Sequence, residues 1–421
     1  MPRKSKKRKK SPNRATMKCL AAPADVYFKK VYKLAQLAGC SEACSLLSKR
    51  DRKDLYMHRT HLSQPKVVPG HPISPQSAKE LAAIFRLFRN LPSIILIPGK
   101  DQISIVEAFA CDALVRFCEN FYEGKSGDKF RTAFAPLIQA FHSMKDPLHA
   151  LYDIYDFILA SFNVCDRQTF GVETDTEFKS FPVAGVYHQV WMKHFYPRKK
   201  ALLIDGKRRP VFRLGWPVWS GNVDYKELKT SLIGELYKGR KAALDIYIQS
   251  HAIRRFNERV QPLTRIFINT SMMFSFKSDD DIQVYKNKIL FPYSYFGIKL
   301  GYFLADIIED TVVIRTFLFI THHHTPEGQK LEELLGLNKN DISYWKIDRL
   351  DTFVNSNLKE NDALKEIFDE AGLDSLFGIN EVDLKDCIVN QYDWTALEEY
   401  IEKGQLEQEE VWEEDYDECL R

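Results

Sequence analysis

The sequence predicts an α+β protein in which a helical N-terminal part precedes an α+β domain built on an antiparallel sheet. In residues 76–164, apolar side chains recur with a period near that of a helix, which is typical of amphipathic helices. From about residue 186 onward, apolar and aromatic residues form short runs separated by turn-forming pairs such as Asp205-Gly206, which is typical of strands. With 421 residues, 45% of them hydrophobic, the chain is long enough for about two or three domains.

These patterns divide the chain into five regions. In order, we expect a disordered basic arm at 1–15, a helical segment and linker at 16–75, a helical domain at 76–185, an α+β domain with the candidate active site at 186–356, and a helical, acidic tail at 357–421. Ser77 and Glu80 have the spacing of a capping box at a helix start. Within the α+β domain we expect residues 225–259 to be mainly helical. The segments 265–276, 283–292, 297–307 and 311–321 are then expected to form the strands of a meander.

The two ends carry opposite charge. Residues 1–14 hold eight Lys or Arg and no acid, whereas residues 398–421 hold eleven acids and two bases. A basic arm binds phosphates by releasing counterions, so the arm favours a nucleic-acid partner; the alternative is a solubilising tail. We expect the acidic tail to contact a protein partner, to shield the basic surface, or to be a solvated terminus.

Several classes of protein are excluded or disfavoured. No apolar stretch approaches the roughly 20 residues that a membrane-spanning helix needs, so no membrane partner is expected. The eight cysteines are spread along the chain, which favours a reducing compartment and predicts a cytoplasmic location. The phosphate-binding, dinucleotide-binding and nucleophile-elbow motifs are absent, and we expect no cofactor.

The segment 245–259 carries the residues best suited to chemistry, on a short strand followed by a helix with Ser250 in the N-cap position. On that helix His251, Arg255, Glu258 and Arg259 fall within an arc of about 100°, and Ala252, Ile253, Phe256 and Val260 cluster opposite. An imidazole transfers protons near neutral pH, and arginines bind phosphate through paired hydrogen bonds. Cleavage of RNA through the 2′-hydroxyl needs both functions.

The same helix has a simpler interpretation. Its charged face would be solvated, with Glu258 pairing with Arg254 or Arg255 one turn away. Both interpretations stay open at the level of sequence.

A strand, an S-H-A-x-x-R-x-x-x-R helix and a meander together resemble the small RelE-like and barnase-like ribonuclease toxins. The matching residues are Ser250, His251, Ala252, Arg254 or Arg255, and Arg259. The resemblance implies metal-independent RNA cleavage with His251 as general acid or base and Arg255 and Arg259 on the scissile phosphate. It also implies a polar residue near the end of a late strand, and Thr316, Thr321 and His322 stand at that place.

The tract His322-His323-His324 follows the last predicted strand. On an extended chain, His322 and His324 would point one way while Thr321 and His323 point the other. The tract could bind a metal, assist catalysis beside His251, or form a plain polar loop.

Cys40, Cys44, His58 and His61 resemble a zinc ligand set in their spacing. Cys40 and Cys44 are also one helical turn apart, which favours burial in a core. We expect no metal there.

Basic and aromatic residues alternate in 191–219. The basic residues are Arg198, Lys199, Lys200, Lys207, Arg208, Arg209 and Arg213. Aromatic faces stack on unpaired bases and cations hold phosphates, so the segment predicts a platform for single-stranded nucleic acid. The alternative is a basic hairpin over an aromatic core.

The sequence therefore predicts an RNA-binding protein and makes metal-independent endoribonuclease activity a candidate, with His251, Arg255, Arg259, Thr321 and His322 as catalytic residues. RNA is favoured over DNA as the partner. The competing hypothesis is a non-catalytic nucleic-acid-binding or assembly protein.

Overall fold

The computed structural model describes residues 14–120, 125–167, 169–179, 185–261, 263, 265–279, 281–335, 346–354 and 362–379. They form two compact units. The first comprises the described residues of Met1–Asp156 and Val172–Lys193, and the second those of Phe157–Gly171 and His194–Arg421.

The first unit is mainly helical. Its helices are α1 (Arg14–Leu37), α2 (Lys49–Met57), α3 (Pro75–Asn90), α4 (Ile105–Asn120), α5 (Lys125–Ala133), α6 (Ala135–Ser143) and the part of α7 (Pro147–Phe162) up to Asp156. Short strands accompany them, namely β1 (Thr60–Leu62), β2 (Lys66–Val67), β3 (Pro92–Ile94) and β4 (Ile103–Ser104), with most of the longer β5 (Thr169–Lys179) and β6 (Gly185–Phe195). Strands β1 and β2 pair in parallel with β6, and β5 also pairs with β6.

Helix α4 is the centre of this unit because apolar residues occupy almost its whole circumference, with Phe117 and Cys118 among those buried. Its first turn is fixed by a reciprocal cap. The Glu107 carboxylate accepts a hydrogen bond from the Ser104 backbone at 2.8 Å, and Ser104 Oγ accepts one from the Glu107 backbone at 3.3 Å. Lys33 of α1 binds the same carboxylate at 2.7 Å, which ties α1 to α4.

Several predicted boundaries of the first unit are wrong. The region 16–75 contains β1 and β2 as well as helices, and the helical region that begins near residue 76 ends at Phe162, not at 185, because β5 and β6 follow. The N-cap of α3 is Ser74, whose side chain accepts from the Ser77 backbone. Ser77 is therefore inside the helix, and Pro75 at its first position sets the start. The predicted arm lies largely outside the described residues.

The second unit is built on an eight-stranded sheet. The unit contains ten strands, eight of them in this sheet: β7 (Lys199–Ile204), β8 (Lys207–Arg213), β9 (Gly215–Pro217), β10 (Val223–Tyr225), β11 (Glu227–Lys229), β12 (Ala243–Ile248), β13 (Gln283–Tyr285), β14 (Lys288–Tyr295), β15 (Ile298–Ile308) and β16 (Thr311–Phe319), as far as the chain is described. Its further helices are α8 (Ser250–Arg259), α9 (Arg265–Lys277), α10 (Pro326–Leu335), α11 (Leu350–Val354) and α12 (Asp362–Glu370). The sheet order is β13-β14-β15-β16-β12-β8-β7, with β11 paired to β12, while β9 and β10 form a separate pair.

One face of this sheet carries the main core. Helix α8 lies against β16 and α9 against β14. Phe256 of α8 packs its ring on Tyr293, Phe303 and Phe317, with centroid distances of 4.7, 4.9 and 5.0 Å. On the other face the sheet curls so that β7 approaches β15, and a small core of Leu202, Ile204, Val211 and Val313 fills the curl.

The predicted α+β class is confirmed, with helices in the N-terminal part and a sheet in the C-terminal part. The sheet is mixed, however, because β12 pairs in parallel with β16. The antiparallel meander β14-β15-β16 and the hairpin at Asp205-Gly206 are confirmed. Both turn residues have positive φ, 50° and 72°, as the tight turn of a two-residue hairpin requires.

Two other predictions for the second unit are wrong. Residues 265–276, predicted to be a strand, lie in α9, because Ile268, Met272 and Phe276 recur at helical spacing and are all buried in the core. Residues 225–259, predicted to be mainly helical, hold β11 and β12 before α8 begins. Of the predicted tail, α12 is helical, and residues 380–421 lie outside the described residues.

Within the described ranges, no helix combines the length and the apolar character needed to cross a membrane.

Candidate functional site

Helix α8 positions the residues predicted to be catalytic. It begins at Ser250 with Gln249 as N-cap, one residue earlier than predicted, and no side chain caps it. Ala252, Phe256 and Val260 are buried on its core face. The predicted division into an apolar and a charged face is therefore present.

Arg259 lies on the buried side of α8, although it was predicted to bind phosphate. The residue is 4% exposed, donates from Nη1 to the carbonyl oxygen of Phe317 at 2.5 Å, and lies 3.6 Å from a carboxylate oxygen of Asp348. On a helical wheel it stands only about 20° from Ala252, so it falls at the edge of the core face. Its guanidinium group stabilises the fold by connecting α8 to Phe317 and Asp348. The predicted role in phosphate binding is therefore wrong.

On the exposed side of α8, the charged and polar side chains contact one another. An Nη atom of Arg254 lies 3.0 Å from Nδ1 of His251, and Nη1 of Arg255 lies 3.3 Å from Oε2 of Glu258. Arg254 also lies 3.8 Å from Glu258. This is the solvated, self-paired helix face that the sequence left as the alternative.

Thr321 and His322 are buried, although both were predicted to assist catalysis. Thr321 is fully buried and donates to the carbonyl oxygen of Ile347. His322 is 3% exposed, and its Nδ1 accepts from the His324 backbone N–H at 3.2 Å. Strand β16 ends at Phe319, so the histidine tract forms a turn and does not alternate along an extended chain.

The turn containing the histidines is held by Thr325. Thr325 Oγ1 lies 2.7 Å from the carbonyl oxygen of His322 and accepts from the Gly328 backbone at 2.9 Å, which makes Thr325 a cap for α10. A Cβ atom at Gly328 would lie 2.1 Å from the carbonyl oxygen of His322. The tract is therefore a packed connection between β16 and α10.

The hairpin β7–β8 positions the predicted nucleic-acid-binding residues. Strand β12 pairs with β8 only at Phe212 and Arg213, so the part of β8 before Phe212 projects past it. Strand β7 is the last strand of the sheet order and pairs with β8 from Lys199 to Ile204. Beneath the turn, the buried Arg315 binds the Asp205 carboxylate and reaches Asp306 at 3.2 Å, which holds the hairpin against β16.

The seven basic residues of this hairpin fall into two groups. Arg198, Lys199, Lys207 and Arg208 are exposed, whereas Lys200, Arg209 and Arg213 are partly buried. Lys200 donates to Thr311 Oγ1 at 2.6 Å. Arg213 binds the Asp245 carboxylate and lies 3.3 Å from Glu227, so two acidic groups offset its charge. In the described part of the chain, Lys199, Lys207 and Arg208 make no ion pair.

Two tyrosines beside the hairpin were missed by the sequence analysis. The Arg198 guanidinium lies 4.4 Å from the ring centroid of Tyr225, and the Lys200 ammonium lies 5.0 Å from that of Tyr247. Both contacts are cation–π interactions. Tyr247 could have been found from the alternation along β12, since it stands directly opposite Arg213 in the register.

The residues with zinc-like spacing belong to different environments. Cys40 is buried at 8% exposure, the His58 ring binds the Asp54 carbonyl oxygen through Nδ1 at 2.8 Å, and His61 stacks on Tyr187 at 4.3 Å. Among the side chains that the structure describes, no cluster of three or more His, Cys, Asp or Glu is arranged to hold a metal ion.

A cavity in the first unit was also missed. It has a volume of about 570 Å³, and the basic side chains that line it come from separate helices, strands and loops. No spacing in the sequence could have joined them. Comparison of this chain with protein-family models, with curated proteins and with solved structures gives no match.

Proposed function

We propose that this protein binds single-stranded nucleic acid, RNA in preference to DNA, through the exposed basic residues of the hairpin β7–β8, and that it does so without cleaving the strand. Binding would combine phosphate contacts from lysine and arginine with stacking of unpaired bases on aromatic rings.

The supporting observation is the combination of exposure and rigidity in the hairpin. Lys199, Lys207 and Arg208 project into solvent from a strand pair whose turn is anchored by the Arg315–Asp205 ion pair. The strand register places Lys199 and Arg208 on one face of the hairpin and Lys207 on the other. Because the backbone that carries them is already held in place, little backbone freedom is lost on binding phosphates, and each contact releases counterions.

An aromatic surface lies next to these cations. Tyr196 is 73% exposed and stands two residues before Arg198, at the entry to β7. An exposed tyrosine ring beside phosphate-binding groups is suited to stacking on an unpaired base, because every base has a π face.

The surroundings of the predicted catalytic residues disfavour strand cleavage. Arg259, Thr321 and His322 are each less than about a twentieth exposed and bind groups of the protein, while Arg255 is paired with Glu258. A general acid–base pair needs to reach the proton that it transfers, and a phosphate clamp needs free donors.

The salt dependence of RNA affinity tests the proposal. We expect Lys207→Ala and Arg208→Ala each to weaken binding of a fluorescent single-stranded RNA, and each to reduce the slope of log affinity against log salt by about 0.7. Lys365→Ala, which removes an exposed lysine from α12, is the matched control and should leave the slope unchanged.

Two results would contradict the proposal. Equal salt-dependence slopes for the hairpin variants and Lys365→Ala would show that the hairpin does not contact the RNA. Equal affinity for RNA and DNA oligonucleotides of the same sequence would remove the preference for RNA, which depends on the 2′-hydroxyl.

We also propose that the protein acts in the cytoplasm. Cys40, Cys44, Cys111, Cys118 and Cys165 are free thiols, which is the usual state in a reducing compartment. Burial raises the pKa of the Cys118 thiol to about 12 and that of Cys165 to about 11, so these thiols stay protonated and unreactive.

A further inference from the structure

The cavity of the first unit, here called the basic cavity, has the size of a small-molecule site. Its volume of about 570 Å³ lies within the roughly 300–1,000 Å³ typical of ligand pockets. Its walls come from α1, the end of α2, β1, α3, α4 and β6.

The charged side chains that line the basic cavity are all basic. They are Lys30, Arg59, Arg86 and Arg89, and the described lining contains no Asp or Glu. Two acidic groups that interact electrostatically with the lining, Glu107 with Lys30 and Asp112 with Tyr27, are already paired, since Glu107 binds Lys33 at 2.7 Å and Asp112 binds Arg116 at 2.7 Å. The cavity is therefore positively charged, and an anion would be stabilised in it.

Some of the hydrogen-bond donors that line the cavity already bind groups of the protein, and others do not. Arg89, 5% exposed, donates to the Ser63 carbonyl oxygen and to the Tyr155 hydroxyl, so it mainly positions the wall. The side chains of Lys30 and Arg86 make no hydrogen bond or ion pair with described residues. They are the donors that a ligand could use.

Two buried polar atoms on the wall lack a hydrogen-bond partner among the described residues. Tyr27 is 9% exposed and lines the cavity, and its hydroxyl group has no partner; the same holds for Nε2 of His61. Buried polar atoms are nearly always satisfied, and an orphan beside a cavity points to a group that binds there. A phosphate oxygen would accept from the Tyr27 hydroxyl.

The cations are partly removed from water. Burial lowers the pKa of Lys30, against the attraction of Glu107, and burial lowers the pKa of Arg59 as well. A cation in such a place loses hydration without full compensation, and a bound anion would supply it.

Planar aromatic side chains also line the cavity, where they stack on one another or on a guanidinium group. The His61 and Tyr187 rings are stacked with centroids 4.3 Å apart and planes 5° from parallel. The Arg59 guanidinium lies 3.6 Å from the centroid of the Tyr56 ring. Planar walls of this kind favour a planar ligand group.

We propose that the basic cavity binds a nucleoside phosphate, with the phosphate on Lys30, Arg86 and the Tyr27 hydroxyl and the base against the aromatic surfaces. This site lies in a different unit from the hairpin β7–β8 and does not depend on the function proposed for that hairpin.

Calorimetric titration of the full chain with ADP tests the site. We expect ADP to bind the unmodified chain, and Lys30→Ala to raise its Kd by at least about tenfold, since a hydrogen bond to a charged group is lost. Tyr27→Phe should raise the Kd by a smaller factor. Lys29→Ala, an exposed lysine next in the chain that does not line the cavity, is the matched control and should leave the Kd unchanged.

Arg86→Ala is a second test that does not depend on a buried position, because Arg86 is exposed on α3. It should weaken ADP binding and leave the melting temperature near that of the unmodified chain. Lys207→Ala should leave ADP binding unchanged, so failure of the hairpin proposal and failure of this one give different results.

Adenosine and pyrophosphate separate the two parts of the ligand. Both should bind more weakly than ADP. Pyrophosphate binding as tight as that of ADP would overturn the role of the aromatic surfaces, and adenosine binding as tight would overturn that of the cations. Absence of ADP binding at millimolar concentration, or equal Kd values for Lys30→Ala and Lys29→Ala, would overturn the site itself.

Discussion

Arg259 of α8 donates a hydrogen bond to the backbone carbonyl oxygen of Phe317 in β16 at 2.5 Å. The same guanidinium lies 3.6 Å from Asp348, and both side chains are 5% exposed. The bond fastens the end of α8 to the central strands of the second unit. An arginine that the sequence assigns to phosphate binding is therefore a structural arginine.

Replacing Arg259 should destabilise the second unit without a direct effect on RNA binding. Arg259→Met removes the hydrogen bond to Phe317 and leaves the buried Asp348 with Arg349, 3.6 Å away, so we expect a cost of about 1.5–3 kcal/mol. The loss of unfolding free energy is measured from the urea midpoint of β14–β16, followed by pulsed hydrogen exchange. Arg254→Met, at an exposed position that is 3.8 Å from Glu258, should change it by less than about 1 kcal/mol. Equal effects of the two substitutions would contradict the structural role.

The sequence predicts the elements whose local signals agree with their packing. The hairpin at Asp205-Gly206 is one such element, because turn chemistry and strand pattern indicate the same structure. Residues 265–277 are the opposite case. Their β-branched and aromatic composition favours a strand, but burial of Ile268, Met272 and Phe276 along one helical stripe determines α9.

The candidate sites were predictable only where one segment of chain supplies the residues. The basic hairpin is continuous in sequence and was found, whereas the basic cavity draws Lys30, Arg59 and Arg86 from separate elements and was not. Arg259 shows a further limit. A position at the edge between the two faces of a helix can be buried or exposed. Arg259 is buried because Asp348, distant in sequence, lies 3.6 Å away and pairs with it.

Incubation with RNA in EDTA tests whether the exposed face of α8 is catalytic. We expect the unmodified chain and His251→Ala to leave RNA equally intact, because Arg259, Thr321 and His322 are buried and Arg255 is paired. The measurement is the length distribution of an end-labelled RNA. Cleavage by the unmodified chain that His251→Ala abolishes would restore the ribonuclease interpretation.

Phe256 should contribute strongly to the stability of the second unit. The residue is 2% exposed and packs against three aromatic rings within 5.0 Å, so Phe256→Ala should cost about 3–5 kcal/mol through the cavity it leaves. Phe256→Leu should cost less, because it fills more of the space. The urea midpoint of β14–β16 again measures both. A loss below about 1 kcal/mol for Phe256→Ala would show that this packing is not maintained in solution.

His188 should make the first unit sensitive to acid. The residue is 1% exposed, its Nε2 has no hydrogen-bond partner within the described ranges, and burial together with the nearby Arg89 lowers its pKa to about 4. The unfolded chain, with an ordinary histidine pKa of about 6.5, binds this proton more readily than the folded chain between those values. Stability is therefore retained above about pH 6.5 and falls as the pH drops toward about 4.

The expected loss for His188 is about 3 kcal/mol, because each pKa unit corresponds to about 1.4 kcal/mol. His61, whose pKa burial also lowers to about 4, acts in the same direction. In His188→Gln, the urea midpoint of β6 read by pulsed hydrogen exchange should fall less between pH 6.5 and pH 4 than in the unmodified chain. His149→Gln, at a solvent-exposed ring, should reproduce the unmodified pH profile. A profile for His188→Gln as steep as that of the unmodified chain would show that the buried imidazole is not the group whose protonation destabilises this unit.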